Sequence, residues 1–379
     1  MGNFDTRVHR GRPGLLPVSL AISALAILGS LQPAGAAFGD RITVSGTQFR
    51  AGEARMWING ANTPWHVWND FGGSYDAAWW DEHLRQLHEN GVNATRVWLT
   101  CNGETGLQID STGHVSGCTP AFWRNLDSLF QTARQRRVYI MATLISFDHF
   151  SSSHLHHPEW RRMLTDPGNI DSMVTNYVTP LVLRYRDNPW LWCIDLCNEP
   201  DWIYENDKCG RISWDWIQTW FARAAVAIHA NSDISVTAGV CMGPKYTAHP
   251  PGKNVVSDEA LRAKAGGDIR ARLDFYSPHH YDWMSRPWNN AFYLTPAAYG
   301  LDTNKPIVIG ECPAKGTAGH TLAEDYEAAW RNGWQGAMGW TSNGVDGNGG
   351  LTELGAATRA FRDQHEQLVF PPVKADISR

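Results

Sequence analysis

The sequence lacks a cationic field. Its 379 residues carry 33 Lys and Arg against 38 Asp and Glu, a formal net charge of −5. No Lys/Arg-rich run breaks the body of the chain, which excludes nucleic acid as a partner on electrostatic grounds. Internal repeats, low-complexity segments and an obvious domain linker are also missing. A composition of 43% hydrophobic and 19% charged residues excludes disorder and collagen-like structure. Long apolar runs are scarce: past residue 31 nothing approaches the length of a membrane span. Before it, Arg7, Arg10 and Arg12 precede a mostly apolar stretch at 15–31 and then Ala34-Gly35-Ala36-Ala37, the pattern of a secretory signal with a small-residue cleavage site. Pro17, Gly29 and the serines make that stretch a poor permanent anchor. The absence of a twin-arginine pair, and of a cysteine near the cleavage site, argues against a Tat route or a lipid anchor. These features predict a signal peptide over 1–37 and one domain over 38–379, secreted or periplasmic, with no membrane span in the mature protein.

Cysteine is sparse and odd in number, seven in all. In an oxidising compartment an odd count leaves at least one thiol free or paired with another chain. Cys101 and Cys118 bracket a polar loop and are the first candidates for a disulfide; Cys197 with Cys209 or Cys241 is the alternative. Standard zinc spacing is absent: His154, His156 and His157 crowd one loop without matching it. Gly72-Gly73 and Gly349-Gly350 read as turn glycines rather than a phosphate cradle. Neither a metal nor a cofactor is expected.

What the chain does have is tryptophan, 19 in all, and enough length to bury a large core. After an alternating stretch at 41–52 that predicts a small β-hairpin capping a barrel floor, short apolar runs alternate with helical periods. Strands are predicted at 56–59, 93–100, 138–145, 191–196, 235–240, 273–277, 307–310 and 336–340. Helices are predicted at 77–90, 122–136, 170–186, 214–230, 259–272, somewhere within 290–301, then at 322–332 and 353–368. Eight strand-helix units predict an α/β fold, a (β/α)8 TIM barrel with a short N-terminal β-hairpin.

The centre of this pattern is Leu191-Trp192-Cys193-Ile194-Asp195-Leu196-Cys197-Asn198-Glu199-Pro200, an apolar run that stops at an Asn-Glu pair before Pro. Pro200 cannot donate to a ladder, so Glu199 falls at the strand's exit, where barrel enzymes keep their chemistry. Pro306-Ile307-Val308-Ile309-Gly310-Glu311-Cys312-Pro313 has the same form. Because parallel barrel strands exit on one face, Trp65, Arg96, His149, Asn198-Glu199, Cys241, His279-His280-Tyr281, Glu311 and Trp340 become neighbours. This ordered set resembles the clan A family 5 glycoside hydrolases. The matching pieces are Arg96, Asn198-Glu199-Pro200, His279-His280-Tyr281 as the family's His-x-Tyr, Glu311 and Trp340, and the likeness runs from about Arg41 to the end.

Glycoside hydrolysis needs a carboxylic acid to protonate the leaving oxygen and a second carboxylate across the anomeric carbon. The resemblance implies a retaining mechanism, with Glu199 as acid/base and Glu311 as nucleophile, and no metal. Arg96 and Tyr281 would keep Glu311 ionised, Asn198 would donate to the sugar 2-hydroxyl, and Trp340 would floor the sugar at the cleavage point. Of the two histidines at 279 and 280, alternation turns one into the pocket, and the family pattern favours His279. His149 is a candidate substrate contact, with Asp148 as its alternative. Trp65 and Trp68 offer aromatic faces suited to sugar rings, or else pack in the core. The opening hairpin, Asn59-Gly60-Ala61-Asn62 and the aromatic stretch after it resemble β-mannan-cleaving members, so the expected substrate is a β-mannan or β-mannoside oligo- or polysaccharide. The alternatives are an endo-β-1,4-glucanase or other β-glycan hydrolase of that family and, in a different class, a non-catalytic carbohydrate-binding barrel.

Overall fold

The structure is a computed structural model that describes residues 39–249 and 253–372; the expected signal segment lies outside the described residues. Eight parallel strands make the barrel: β1 Ile58–Asn62, β2 Ala94–Trp98, β3 Tyr139–Thr143, β4 Leu191–Asn198, β5 Ser235–Val240, β6 Ser277–Pro278, β7 Val308–Pro313 and β8 Gly336–Trp340. They follow one another in the order 6-5-4-3-2-1-8-7. Parallel bridges Tyr276–Ile307 and His279–Glu311 join β6 to β7 and nearly close the ring. All residues of β1 to β5 and of β8 are buried, as expected for a sheet covered by helices on one side and its own interior on the other.

Local chemistry starts the helices where the barrel needs them. Asp76 accepts the amides of Ala78 and Trp79 to cap Ala77–Glu89. Thr119, followed by Pro120, caps Pro120–Arg136. Thr321 and Glu324 form a reciprocal capping box on Leu322–Arg331. The other long helices are Trp214–Asn231 and Leu351–Val369.

The N-terminal hairpin is present and carries a third strand: Ile42–Ser45, Gln48–Ala51 and Ala54–Met56 form an antiparallel sheet. Phe49 on its middle strand meets Trp192 edge-on at 5.3 Å and Phe275 at 5.2 Å, which seats the sheet under the start of β4. The apolar run at 56–59 is therefore divided between this sheet and β1, with Trp57 between them donating its indole N–H to the Trp334 carbonyl.

Three other expectations fail for local reasons. The helix sought within 290–301 is absent; the segment holds a single 3-10 turn, Ala291–Tyr293, and then meets Pro296 and Gly300. The helix predicted over 259–272 ends at Lys264, because Gly266 and Gly267 adopt φ of 62° and 90°. None of the three candidate disulfides is present, and all seven cysteines are free thiols. Cys101 is buried in the cluster of Trp65, Trp98 and Trp340, and its sulfur accepts the Asn69 amide. The 101–118 loop is held instead by its own two-stranded sheet, Leu107–Ile109 against Val115–Cys118.

Both glutamate-bearing strands carry one extra residue. Three steps from Asp195 to Asn198 face two from Thr237 to Gly239, and three from Ile309 to Cys312 face two from Ala337 to Gly339. Such bulges re-aim side chains, and here they fall immediately before Glu199 and around Glu311.

Candidate active site

Arg96 organises the barrel mouth from within β2. Its side chain is fully buried, so its charge must be compensated. The Nε donates to Asp195 Oδ2 at 2.9 Å, Nη2 to Asn198 Oδ1 at 2.8 Å, and Nη1 to Glu311 Oε1 at 2.6 Å. Asn62 Oδ1 stands 3.3 Å from Nη1. The register makes these contacts possible, since Asn62 pairs with both Arg96 and Trp340 across neighbouring strands. Space is made by glycine: a Cβ on Gly239 would lie 2.7 Å from His279 Nε2 and 2.9 Å from Arg96 Nη2.

Asp195 and Asn62 were missed by the sequence reading. Asp195 also accepts Thr143 Oγ1 at 2.8 Å and the Gly239 amide at 2.9 Å. The signal for it was present, a lone carboxylate inside Leu-Trp-Cys-Ile-Asp-Leu, where a buried charge requires a buried partner. Asn62 donates its amide to the Gly310 and Met338 carbonyls, tying β1 to β7 and β8.

Glu199 and Glu311 project into one cleft of about 490 Å3. Together with His279 they place one carboxylate or imidazole atom each within 4.8 Å of one another. Their surroundings differ. Glu311 receives the Arg96 guanidinium and the Tyr281 hydroxyl, the latter at 2.7 Å on Oε2. Glu199 Oε1 lies 3.0 Å from His279 Nδ1, which is 3.4 Å from Glu311 Oε2. Burial pushes Glu199 up to about 7. Burial also raises Glu311, while His279, Arg96 and Tyr281 oppose the rise and the Glu199 charge adds to it. Two carboxylates this close hold one negative charge more readily than two. The guanidinium and phenol bonds place that charge on Glu311 and leave the proton on Glu199.

His279 is buried, which lowers it to about 4 and keeps it neutral. With both carboxylates beside Nδ1, the ring proton is assigned there. His280 faces away, its Nδ1 2.9 Å from the Tyr299 hydroxyl. Asn198 gives its oxygen to Arg96, so its Nδ2 points elsewhere, with only a 3.4 Å contact to Ser146 Oγ. Glu199 itself has φ 47° and ψ 57°, a left-handed conformation that costs a non-glycine residue about 1–3 kcal/mol and is found at functional sites.

The aromatic residues form the walls. Trp65, Trp98 and Trp340 pack together, Trp65 to Trp98 at 5.1 Å and Trp98 to Trp340 at 5.7 Å, while each also lines the cleft. Trp68 stands at the rim, 36% exposed, 4.7 Å from Trp65. Asp70 anchors their loop: buried, it accepts the His66 amide and the Trp80 indole N–H. Trp202 and Trp283, not anticipated, complete the aromatic lining. The structure does not bring His149 to the cleft. It is buried in the turn Phe147–Phe150, with Nε2 on Thr100 Oγ1 and Nδ1 against the Ser146 backbone; Asp148 lines the cleft in its place. Past Trp340 the cleft continues into a second depression of about 670 Å3, which shares Tyr281, Trp283 and Trp340 and runs towards Lys315 and Glu353.

Glu199, His279 and Glu311 offer the atom types of a metal site. A guanidinium 2.6 Å from Glu311 already supplies the positive charge, and a dication would have to displace it. The arrangement instead suits an acid and a nucleophile on opposite sides of a bond held against tryptophan faces.

No protein-family model matches the chain. A mannan endo-1,4-beta-mannosidase of Mytilus edulis is 24% identical over 363 residues, spanning 87% of this chain and 95% of that protein. Another from Cryptopygus antarcticus is 25% identical over 355 residues, 86% of this chain and 91% of its own. Among solved structures, an endo-1,4-beta-mannanase from Eisenia fetida shares the fold with a TM-score of 0.74 at 20% identity, covering 85% of this chain and 95% of the other.

Proposed function

We infer that this protein is a mannan-degrading glycoside hydrolase of the clan A, family 5 type. The observation that carries the reading is the pair Glu199 and Glu311, with carboxylate oxygens within 4.8 Å, one just past the end of β4 and one on β7, and with different hydrogen-bond partners. That closeness supports retention, which works with carboxyl groups about 5–5.5 Å apart and leaves no room for a water between them. Glu311, ionised by Arg96 and Tyr281, attacks the anomeric carbon while Glu199 protonates the departing oxygen. The glycosyl–enzyme ester then forms on Glu311. Glu199, now a carboxylate, takes a proton from water, which displaces Glu311 and restores both groups. Asn198 donates its free amide hydrogen to the sugar 2-hydroxyl, and Trp340 supports the apolar face of the sugar being cleaved. Trp65 and Trp68 carry neighbouring sugars.

Mannan rather than glucan is supported by the names of the relatives and by the length over which they match. Internal cleavage is supported by the cleft continuing on both sides of Trp340. Aromatic walls with carboxyl and amide groups set between them suit an oligo- or polysaccharide partner, and the N-terminal sequence supports secretion; among the described residues no helix is long and apolar enough to cross a membrane. Digestion of β-1,4-mannan and β-1,4-glucan, with products sized by chromatography, tests the reading. Short mannooligosaccharides of several lengths are expected. Exclusive cleavage of glucan would transfer the same mechanism to another substrate, release of mannose alone would refute internal cleavage, and binding without cleavage would make the protein a lectin-like barrel.

A further inference from the structure

Beneath the acid/base lies a buried carboxylate that the mechanism leaves unused. Asp201, two residues past Glu199, is fully buried. It is bonded to two successive amides rather than to a cation: Cys241 N–H on Oδ1 at 2.9 Å and Met242 N–H on Oδ2 at 2.8 Å. These amides follow the end of β5. Glu199 is tied to the same strand, its own N–H donating to the Gly239 carbonyl at 2.7 Å. The two ties bracket the left-handed backbone at Glu199, which a non-glycine residue keeps only under outside constraint. Cys241, whose amide Asp201 holds, lines the cleft together with Glu199.

We propose, resting on the function inferred above, that Asp201 is a positioning residue for the acid/base. It clamps the Glu199 turn onto the end of β5 and holds the Cys241 thiol against the Glu199 carboxyl. A thiol is a weak donor. Burial, reinforced by the charges of Glu199 and Asp201, pushes this one up, so it stays protonated and does not compete for the catalytic proton. When Glu199 passes its proton to the leaving oxygen, charge appears on its carboxylate. The S–H contact then strengthens at the moment it is useful, as a donor aimed at developing charge should.

Arg96, Asp148, His279 and Glu311 also act on Glu199 from β2, the β3 exit, β6 and β7. Tyr281 faces it from β6. Arg96, His279 and Tyr281 contact the nucleophile directly. Replacing Asp201 or Cys241 can therefore disturb the acid/base while leaving the hydrogen bonds to Glu311 in place.

The test compares a mannooligosaccharide, whose leaving alkoxide needs protonation, with 2,4-dinitrophenyl β-mannobioside, whose leaving group does not. Asp201→Asn puts an amide donor against one of the two N–H groups. It is expected to lower kcat/KM on the oligosaccharide by about 100-fold, the scale of general acid catalysis, with the aryl substrate near the wild-type value. Cys241→Ala removes the proposed thiol donor to the Glu199 carboxylate and is expected to move the basic limb of the pH–rate profile upward; Cys241→Ser, which keeps a donor, returns it. An equal loss on both substrates, or a limb unmoved in Cys241→Ala, would overturn the proposal. Should Asp201→Asn not fold, the two Cys241 variants decide alone. Wild-type enzyme inactive on both substrates would refute the glycosidase reading itself, an outcome distinct from any variant effect.

Discussion

Arg96 bonds four acceptors from three strands with one guanidinium, and two of them, Asn198 and Glu311, belong to the proposed chemistry. At this scale the predictions concern single side chains. Glu199→Ala should lower mannan hydrolysis by about 10²–10⁴-fold. Azide, which needs no general base, should then intercept the Glu311 ester and give a β-mannosyl azide. Glu311→Ala should lower activity at least as far, and with an activated aryl mannoside azide should give the α-anomer; product NMR distinguishes the two. As the proposed acid, Glu199 must be protonated to act, so activity should fall as pH rises through about 7, the value to which burial raises it. Because the carboxylates are coupled, that limb belongs to the pair. Glu199→Gln should abolish the limb, and a limb near 4 would contradict the buried setting. The sequence made Glu199 and Glu311 legible because each ends an apolar run before proline. It hid Asp195 and Asn62, whose importance comes from what they bond across the barrel. His149 was misplaced because the 3-10 turn at Phe147–Phe150 rotates it inward and presents Asp148 instead.

At the scale of elements, the loop after β1 carries Trp65 and Trp68 and is anchored by Asp70, which accepts from its own His66 amide and from Trp80, and by Asn69, which bonds Cys101 and Asn102. Burial raises Asp70 to about 6. A carboxyl raised in the folded state stabilises the fold fully below its unfolded value near 4, and that contribution is lost as pH rises through 6. Relative to Asp70→Asn, the wild type should therefore lose about 2–3 kcal/mol between pH 4 and pH 7, measured by denaturant unfolding at each pH. A difference that grows with pH would contradict the assignment. The end of β5 offers a second test. Gly239→Ala places a methyl against Arg96 and His279, so it should cost about 1–3 kcal/mol by overpacking and lower kcat more than that destabilisation explains. Elements with a strong period, such as Ala77–Glu89 and Trp214–Asn231, were readable from sequence. The missing helix within 290–301 was not, because a short apolar stretch before Pro296 looks the same whether or not it completes a turn.

The described residues form a nearly closed ring of strands whose floor is covered by a separate small sheet. Phe49 is the plug, buried edge-on against the stacked pair Trp192 and Phe275. Phe49→Ala should cost about 3–5 kcal/mol and lower Tm while leaving kcat of the folded fraction unchanged, since the floor lies at the opposite end from Glu199 and Glu311. A kcat that falls with Tm would mean the two ends are mechanically coupled. The barrel was legible as eight alternating units, and so was the face that bears the site. The one-residue bulges in β4 and β7 were not, since they exist only as register between strands.

The most direct measurement of the central claim is the anomeric configuration of the first product released from β-1,4-mannan, followed by proton NMR in the opening minutes of the reaction. Two displacements through Glu311 predict that the β-anomer appears first and then mutarotates. An α-anomer appearing first would mean a single displacement by water, and Glu311 would then not be the nucleophile.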